Sequence, residues 1–462
     1  MVIIEKSMSK KSVLIAIAIA SFLPPFMISA ANIALPAIQQ EFHIDAVILS
    51  WIVTSYLLSS AIFLVPSGKI ADIWGRKRLF IIGIIDFTLS SLLIAFVPSV
   101  TWLIILRAIQ GVGGAILTTT GVAILTSVIP LRQRGMALGI NVSMIYIGLA
   151  AGPTIGGLLT SSIGWRSIFY LSVPIGLLAM LLTLLYIKGE WADAKGETLD
   201  VPGSLIYACT IIAITYGFTQ LAQISGICCL LAAGGGLYVF VKRQLAVEFP
   251  VFNVRLFQNN RVFSFSNIAA LINYGATAGI SFLMSLYLQY IKGMSPEAAG
   301  LLLIVQPIIM AVLAPVAGRL SDKKEPALIA SIGMALTTLG LLMLVFLGNN
   351  TPIPYIIGAL AVLGSGFALF GSPNTNAIMS SVAPQYYGIA SGSVATMRLL
   401  GQNISLAMAT LMITLFVGKT QISPATYDAF LKSATTTFGI FALLCAVGIY
   451  FSYSRGKLRS EG

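Results

Sequence analysis

Charged side chains are scarce in this chain. Asp, Glu, Lys and Arg together make up 9% of its 462 residues, whereas hydrophobic residues make up 57%. Soluble domains carry roughly 25% charged residues, and a soluble protein of this length could not bury so much apolar surface. Because lipid lets apolar side chains face outward, the shortage of charge excludes an ordinary soluble domain and indicates a membrane protein.

Residues for metal and covalent chemistry are also scarce. The one histidine, His43, has no cysteine or carboxylate cluster at metal-ligand spacing around it. No Gly-x-x-x-x-Gly-Lys-Ser/Thr phosphate loop occurs, and the longest linkers, near 188–201 and 242–261, are too short for a nucleotide domain. We therefore expect a transporter or sensor without cofactors, not an enzyme or an ATP-driven pump. We interpret the cysteines as apolar filling within helices: Cys209, Cys228, Cys229 and Cys445.

Long apolar runs fill most of the chain. Only helices and closed barrels satisfy their backbone hydrogen bonds in lipid, and these runs lack the alternation of barrel strands. The first run, Ser12 to Pro36, is too long for a signal peptide and is interpreted as a retained span. We predict an all-α polytopic membrane protein with spans near 12–36, 48–70, 79–98, 101–127, 136–160, 166–187, 202–221, 225–241, 262–290, 297–318, 327–347, 353–378, 389–417 and 430–453.

The division of residues 202–241 into two spans rests on a short polar stretch. Gln220, Gln223, Ser225 and Gly226 interrupt the apolar run there. The whole run is too long for one span, and two spans fit it well. If this were a re-entrant pair, the orientation would survive but the number of spans would fall from fourteen to twelve.

Basic residues fall mainly on one side of the predicted membrane. With the N-terminus inside, the loops that hold most of the lysines and arginines all lie in the cytoplasm, which agrees with the positive-inside rule. This bias predicts an even number of spans, both termini in the cytoplasm and insertion in the cell (inner) membrane. Two arginines, Arg107 and Arg398, fall within spans. The basic residues predicted outside are Arg166, Lys292, Lys419 and Lys432.

A weak internal repeat divides the chain. Gly68 to Asp72 ends the second span, and the similar segment Gly318 to Asp322 ends the tenth. Repeated halves are typical of transporters. We therefore expect a six-helix half in 1–190, a linker with two inserted spans in 191–245, and a second six-helix half in 246–462.

Three glycine-rich motifs stand out. The first is Gly68-Lys-Ile-Ala-Asp72-Ile-Trp-Gly75-Arg76-Lys-Arg, in which a carboxylate and an arginine can pair across a tight turn. The second, Arg107-Ala-Ile-Gln-Gly-Val-Gly, places an arginine in a span. Inserting its charge into the membrane costs about 2.5–3.5 kcal/mol unless polar groups surround it. Snorkelling of this arginine to the membrane surface is the alternative.

The third motif is a stripe of small residues in the fifth span. Gly148, Gly152 and Gly156 recur every four residues, with Pro153 and Gly157 beside them. Such a stripe lets a second helix approach closely, and generic helix packing is the simpler explanation of the stripe alone. The complete Gly-x-x-x-Gly-Pro-x-x-Gly-Gly pattern is more specific.

Together these motifs resemble the major facilitator superfamily, and within it the 14-span drug:proton antiporters. Asn32-Ile-Ala-Leu-Pro36, the segment from Gly164 to Gly176, and Arg398-Leu-Leu-Gly401 extend the resemblance in order along nearly the whole chain. Ile70 replaces the usual Leu in the first motif. The resemblance implies that Arg107 takes part in proton transfer. It also implies gating by the first and third motifs: Gly68, Asp72, Gly75, Arg76, Gly148, Gly152, Pro153, Gly156 and Gly157.

One departure from the family concerns substrate charge. Many relatives that handle cationic drugs carry an Asp in the first span, where this chain has Met27. A preference for divalent cations is therefore in doubt. Asp86, in the third span, is a candidate for proton coupling, together with Arg107 and Asp72; the alternative is that Asp86 snorkels to the interface.

Polar residues elsewhere in the spans are candidates for substrate binding. Arg398 is costly in the membrane unless it faces a cavity, where it can pair with a substrate anion, a lipid phosphate or a carboxylate. Structural contacts between helices are the alternative for every member of this set. The candidates are Asn32, Tyr56, Gln110, Tyr146, Tyr287, Gln289, Gln306, Asn374, Arg398 and Gln402.

We therefore expect a monomeric, proton-driven exporter of lipophilic or amphipathic small molecules that works by alternating access, as in multidrug efflux and antibiotic resistance. Its partners would be that substrate, protons and membrane lipid, and no nucleic acid. Two alternatives remain: an exporter of an endogenous metabolite or lipid, and a non-transporting membrane sensor built on the same fold.

Overall fold

The computed structural model describes residues 10–221, 223–383, 386–418 and 420–456, and their regular structure is entirely helical. Four basic residues that entered the prediction of orientation, Lys6, Lys419, Lys457 and Arg459, lie outside this range.

The first six helices form one bundle. In it α1 packs along α5, α2 along α4, and α3 against both α4 and α6. We call this group the first bundle: α1 Lys10–Phe42, α2 Ala46–Trp74, α3 Arg76–Ile94, α4 Val100–Val128, α5 Leu131–Ser162 and α6 Arg166–Tyr186.

A helical hairpin follows. It consists of α7 Val201–Thr219 and α8 Ile224–Ala246, so the polar stretch near Gln220 does separate two helices, as expected. Helix α8 packs mainly on α7. Helix α7 contacts α2 of the first bundle and the helix Tyr387–Phe416 in the last part of the chain.

The remaining helices form the second bundle. Its members pack mainly as α14 on α15 and α17, α13 on α15, and α10 on α16. They are α9 Val254–Asn259, α10 Arg261–Gly275, α11 Ala278–Leu286, a π-helical turn Tyr287–Ile291, α12 Pro296–Leu303, α13 Val305–Lys323, α14 Pro326–Val345, α15 Ile353–Ser380, α16 Tyr387–Phe416, a 3₁₀ turn Pro424–Thr426 and α17 Tyr427–Tyr453.

Two spans predicted as continuous helices are interrupted. The predicted span 262–290 breaks between α10 and α11, and the span 297–318 breaks at Ile304 between α12 and α13. At the first break side chains satisfy the freed backbone: the Thr277 hydroxyl donates to the Asn273 carbonyl at 2.6 Å, and the Gly279 amide donates to the Ser405 hydroxyl at 2.9 Å. Hydropathy averaged over a span does not reveal such breaks, because both interrupted segments are still apolar on average.

Within the described residues, thirteen helical segments are long and apolar enough to cross a membrane, counting α10 through the π-helical turn as one. The 19-residue α3 is not among them, and it carries Arg76, Lys77, Arg78 and Asp86. The chain is therefore a multi-pass membrane protein.

The bundles have two distinguishable ends. At one end, the Ala46 amide donates to the Thr420 carbonyl at 3.0 Å, and Lys292 Nζ donates to the Asn349 carbonyl at 2.7 Å. We call this the turn end. At the opposite, linker end lie Gly75, residues 187–200 and residues 247–260.

A buried carboxylate organises the linker end. Asp200 caps α7 by accepting from the Gly203 amide at 3.0 Å, and it also accepts from Arg243 Nε at 2.7 Å and Gln244 Nε2 at 2.8 Å. Gln244 Oε1 in turn accepts from the Phe252 amide at 3.0 Å. Burial opposes ionisation of Asp200, but these hydrogen bonds outweigh it and hold the pKa of the carboxyl below its ordinary value.

We predict that Asp200→Asn lowers the free energy of unfolding by about 1–3 kcal/mol near neutral pH, because it removes the charge that Arg243 pairs with. Since the folded-state pKa is depressed, this contribution is present above the ordinary value of about 3.9 and is lost as pH falls through the lower folded value. Thermal unfolding in detergent measures it. Glu248→Gln is the control, because that side chain is exposed and forms no ion pair with any residue that the structure describes. Equal stability of Asp200→Asn and wild type at pH 7 would contradict the assignment.

Candidate functional site

Hydrogen bonds join the two bundles at the turn end. Ser285 Oγ donates to the Asn32 carbonyl at 2.7 Å, and Gln289 Nε2 donates to the Ile33 carbonyl at 3.0 Å. Nearer the end of α1, the Tyr290 hydroxyl donates to Gln39 Oε1. We call this set the turn-end seal. Two residues predicted to bind substrate, Asn32 and Gln289, belong to this seal. Their described contacts hold the two bundles together.

A close helix crossing lies beside the seal. A Cβ on Gly300 of α12 would overlap the Pro153 carbonyl of α5, and a Cβ on Gly157 would overlap the Pro296 carbonyl. The two helices therefore meet backbone to backbone across the bundle interface. The sequence analysis assigned Pro153 and Gly157 to gating but did not identify Pro296 and Gly300 as their partners.

The rest of the glycine stripe faces α1 within the first bundle. A Cβ on Gly148 would lie 2.7 Å from the Phe22 carbonyl, and one on Gly152 would lie 2.5 Å from Ser29 Cβ. Gly156 is similarly close to Ala30. The predicted stripe thus holds α1 against α5, and only its last glycine reaches the second bundle.

The linker end has a different character. Among the described residues, the hydrogen bonds between the two bundles are confined to the turn end. No heavy atom lies within 4 Å of where a Cβ would stand on Gly68 of α2, Gly139 of α5 or Gly392 of α16. Within the part of the chain that the structure describes, the hydrogen bonds that join the bundles therefore lie toward one end.

The predicted pair Asp72 and Arg76 forms at the linker end. Arg76 Nη2 lies 2.7 Å from Asp72 Oδ1 and 2.8 Å from Asp193 Oδ2. Gly75 makes the tight turn with φ +120°, and the Arg76 amide donates to the Trp191 carbonyl at 2.9 Å. These partners belong to the first bundle and to the segment after α6, so in this conformation the described contacts of the pair do not reach the second bundle.

Arg107 is fully buried inside the first bundle. Its Nη1 donates to Gln110 Oε1 at 2.6 Å, its Nε donates to the Ile52 carbonyl at 3.2 Å, and its guanidinium lies 4.4 Å from the centroid of the Tyr56 ring. Gln110 Nε2 donates onward to Ser91 Oγ at 2.7 Å. Arg107 therefore does not snorkel, and Tyr56 and Gln110 are its neighbours. Its Nη2 has no hydrogen-bond partner.

Asp86 of α3 faces α4, the helix that carries Arg107. Its Oδ2 lies 2.5 Å from where a Cβ on Gly113 would stand, and this oxygen is shielded from solvent. The Tyr56 hydroxyl occupies the equivalent space over Gly114 and lies within electrostatic range of Asp86. Two adjacent glycines thus make room for a carboxylate and a phenol, and no ion pair joins Asp86 to Arg107 in the described structure.

Tyr146 and Arg398 come together across the bundle interface. The Tyr146 hydroxyl of α5 lies 3.6 Å from where a Cβ on Gly371 of α15 would stand. Arg398 of α16 is within electrostatic range of both Tyr146 and Tyr274. Tyr274 was missed by the sequence analysis, although the Asn-Tyr-Gly sequence within an apolar run was a signal.

The other predicted binding residues lie inside the second bundle. Tyr287 is fully buried and donates to the Gly348 carbonyl at 2.8 Å. Asn374 accepts from Arg455 Nη1 at 2.8 Å and donates to the Ser266 carbonyl at 3.1 Å. Both side chains are thus engaged in packing contacts. Gln306 of α13 and Gln402 of α16 are half-buried.

Comparison with known proteins agrees with this architecture. The model of the Major Facilitator Superfamily matches residues 17–406. The chain is 32% identical over 450 residues to the riboflavin transporter RibZ of Clostridioides difficile, covering 95% of each chain. It is 31% identical over 383 residues to the multidrug resistance protein Stp of Mycobacterium tuberculosis, covering 82% of this chain and 71% of that protein.

Solved structures show the same fold. The crystal structure of a D-xylose–proton symporter superimposes with a TM-score of 0.70 at 14% identity, covering 96% of this chain and 97% of that one. A bacterial homologue of the human lysosomal transporter Spinster, in an inward-facing and unoccupied conformation, gives a TM-score of 0.68 at 15% identity, covering 98% and 97%.

We predict that Gly300→Ala opens the turn end, because a methyl group there collides with the Pro153 carbonyl. Spin labels at Ser162 and Glu297, one on each bundle, report the opening as a longer distance by pulsed electron paramagnetic resonance. Gly139→Ala on α5 is the control, since its new methyl group meets no atom within 4 Å. A Gly300→Ala distance distribution that superimposes on that of wild type would count against this role for the crossing.

Proposed function

Because the chain belongs to the Major Facilitator Superfamily, we propose that it is a proton-coupled exporter of lipophilic or amphipathic small molecules, of the 14-span drug:proton antiporter type. The observation that carries the proposal is the seal that joins the two bundles at the turn end, with a half-buried carboxylate and a fully buried arginine in the first bundle. Alternating access needs such a seal to form and open on each side in turn.

The proposed topology has fourteen spans with both termini in the cytoplasm. Helix α3 supplies the fourteenth span, since α4 and α6 cover it. The halves are 1–190 and 246–462, and the inserted hairpin lies in 191–245. The positive-inside bias then places the linker end at the cytoplasm and the turn end outside the cell membrane. The conformation described above would be open toward the cytoplasm, ready to load a substrate for export.

Asp86 is the proposed proton carrier. Its half-buried side chain lies against Gly113 and forms no ion pair with any residue that the structure describes, so the charged form is held at a cost that a proton relieves. Tyr56 lies within electrostatic range of Asp86 and directly against Arg107. Protonation of Asp86 would thus change the field at Arg107, whose helix α4 also contacts α1 and α2 of the first bundle.

We predict proton-coupled uptake in reconstituted vesicles. Purified protein in liposomes with an acidic lumen should accumulate a lipophilic dye, and addition of the dye should speed collapse of the pH gradient. The readouts are dye retained on filters and an internal pH indicator. Dye movement that leaves the proton flux unchanged would indicate a uniporter, and absence of flux across a broad panel of compounds would indicate a sensor.

We predict that Asp86→Asn abolishes accumulation driven by the pH gradient but leaves exchange of labelled for unlabelled dye, because the amide can no longer exchange a proton. Asp428→Asn, an exposed carboxylate at the turn end, is the control and should behave as wild type. Retention of the pH-driven component in Asp86→Asn would remove this residue from the mechanism.

Export of an endogenous metabolite is a second candidate within the same mechanism. A relative that matches nearly the full length is named a riboflavin transporter, and another, 29% identical over 461 residues, is the cephamycin export protein CmcT of Amycolatopsis lactamdurans. Met27 favours this candidate over export of divalent cations. It is fully buried, and its sulfur accepts a hydrogen bond from Ser172 Oγ at 2.9 Å, so this position supplies no carboxylate.

A further inference from the structure

Arg398 is a cation without a counterion. It is half-buried in the middle of α16, and it makes no hydrogen bond or ion pair with any residue that the structure describes. Its described electrostatic neighbours are the hydroxyl-bearing rings of Tyr146 and Tyr274. An arginine in a span is retained at a cost of about 2.5–3.5 kcal/mol, so its persistence calls for a negative partner.

The position of Arg398 is imposed by a tight helix crossing. One turn further along α16, a Cβ on Gly401 would lie 2.7 Å from the Leu271 carbonyl and 2.8 Å from Tyr274 Cβ. Helices α16 and α10 therefore touch backbone to backbone at that level. The crossing brings α16 against Tyr274, and Arg398 lies within electrostatic range of Tyr274 and of Tyr146 in the other bundle.

The same level of the membrane contains the break between α10 and α11. Asn273, just before the break, is fully buried, and neither its Oδ1 nor its Nδ2 has a hydrogen-bond partner. Leaving such groups unpaired costs about 1–3 kcal/mol. Interrupted helices with unpaired polar groups near the bilayer midplane are where transporters place substrate sites.

Three carboxylates of the first bundle have described contacts elsewhere. Asp86 faces α4 inside the first bundle, Asp72 pairs with Arg76 at the linker end, and Glu41 pairs with Arg166 at the turn end. None of these three carboxylates pairs with Arg398, so the guanidinium charge favours an anionic ligand over a cationic one.

We propose that Arg398, flanked by Tyr146 and Tyr274, is the subsite for the acidic group of an amphipathic organic anion, a carboxylate or a sulfonate attached to an apolar or aromatic body. The guanidinium forms charge-assisted hydrogen bonds with the acid, and the tyrosine rings provide apolar faces and hydroxyl donors for the remainder. This proposal rests on the proposed export function and specifies its substrate class. A lipid phosphate is the competing source of the same charge, but Arg398 lies about three turns into α16, away from the headgroups at the helix ends.

Two dyes with the same ring system test the charge preference. They are 8-anilinonaphthalene-1-sulfonate, a monoanion, and N-phenyl-1-naphthylamine, its neutral counterpart; ethidium serves as the cation. Protein-dependent uptake into acidic-lumen liposomes is measured for each dye, and the apparent KM is separated from the maximal rate. Liposomes of phosphatidylcholine alone contain no anionic lipid, and adding phosphatidylglycerol tests whether lipid phosphate competes for the site.

We expect wild type to take up the sulfonate with the lowest apparent KM. Arg398→Gln should raise that KM about ten- to a hundredfold, the range for loss of a hydrogen bond to a charged group, and leave uptake of the neutral dye unchanged. Arg398→Lys keeps the charge and should recover part of the affinity. Lys242→Gln removes an exposed charge on α8 and should match wild type.

The possible failures are distinguishable. If wild type takes up none of the dyes although it is folded by size-exclusion chromatography, the proposed export function itself fails. If wild type takes up the dyes but Arg398→Gln shifts the KM of the sulfonate and of the neutral dye equally, the anion subsite is refuted while export stands. Competition by phosphatidylglycerol that disappears in Arg398→Gln would assign the site to a lipid headgroup instead.

Discussion

Close contact between helix backbones is the constraint on which this structure depends. In lipid there is no hydrophobic force to press one helix onto another, so association relies on van der Waals contact and hydrogen bonds, and glycine permits the closest approach. Gly152 brings α5 onto α1, Gly300 brings α12 onto α5, and Gly401 brings α16 onto α10. Close helix contact at glycine therefore assembles each bundle and also joins the two bundles.

The glycine contacts also decide where polar groups can lie. Gly113 and Gly114 of α4 leave the space that Asp86 and Tyr56 occupy, and the crossing at Gly401 sets Arg398 next to Tyr274. A carboxylate and a guanidinium are thus held in different compartments of the molecule, one inside the first bundle and one between the bundles. This separation is what the proposed mechanism requires, in which a proton and a substrate anion bind at different sites.

Several features were predictable because they are properties of local sequence. The scarcity of charge and the length of the apolar runs predict a polytopic helical membrane protein, and the motif from Gly68 to Arg78 predicts the family. The pairing of Asp72 with Arg76 is also local, since the two side chains lie four residues apart across one turn. The hairpin split near Gln220 follows from polarity. For these features, physical chemistry over a few residues is sufficient.

Other features required the three-dimensional structure, because they join residues far apart in the chain. Sequence alone did not distinguish Asn32 and Gln289, which belong to the turn-end seal, from Tyr146 and Arg398, which meet between the bundles. It did not reveal Gly300 as the partner of Pro153, the role of Tyr274, or the engagement of Asn374 by Arg455. The breaks within the predicted spans 262–290 and 297–318 were hidden for a related reason. Hydropathy records whether a residue suits lipid, but only packing decides which neighbour satisfies a freed backbone group. The sequence by itself therefore determined the class of protein, the membrane as its environment and its local charge pairs. The tertiary structure decided which polar side chains face one another.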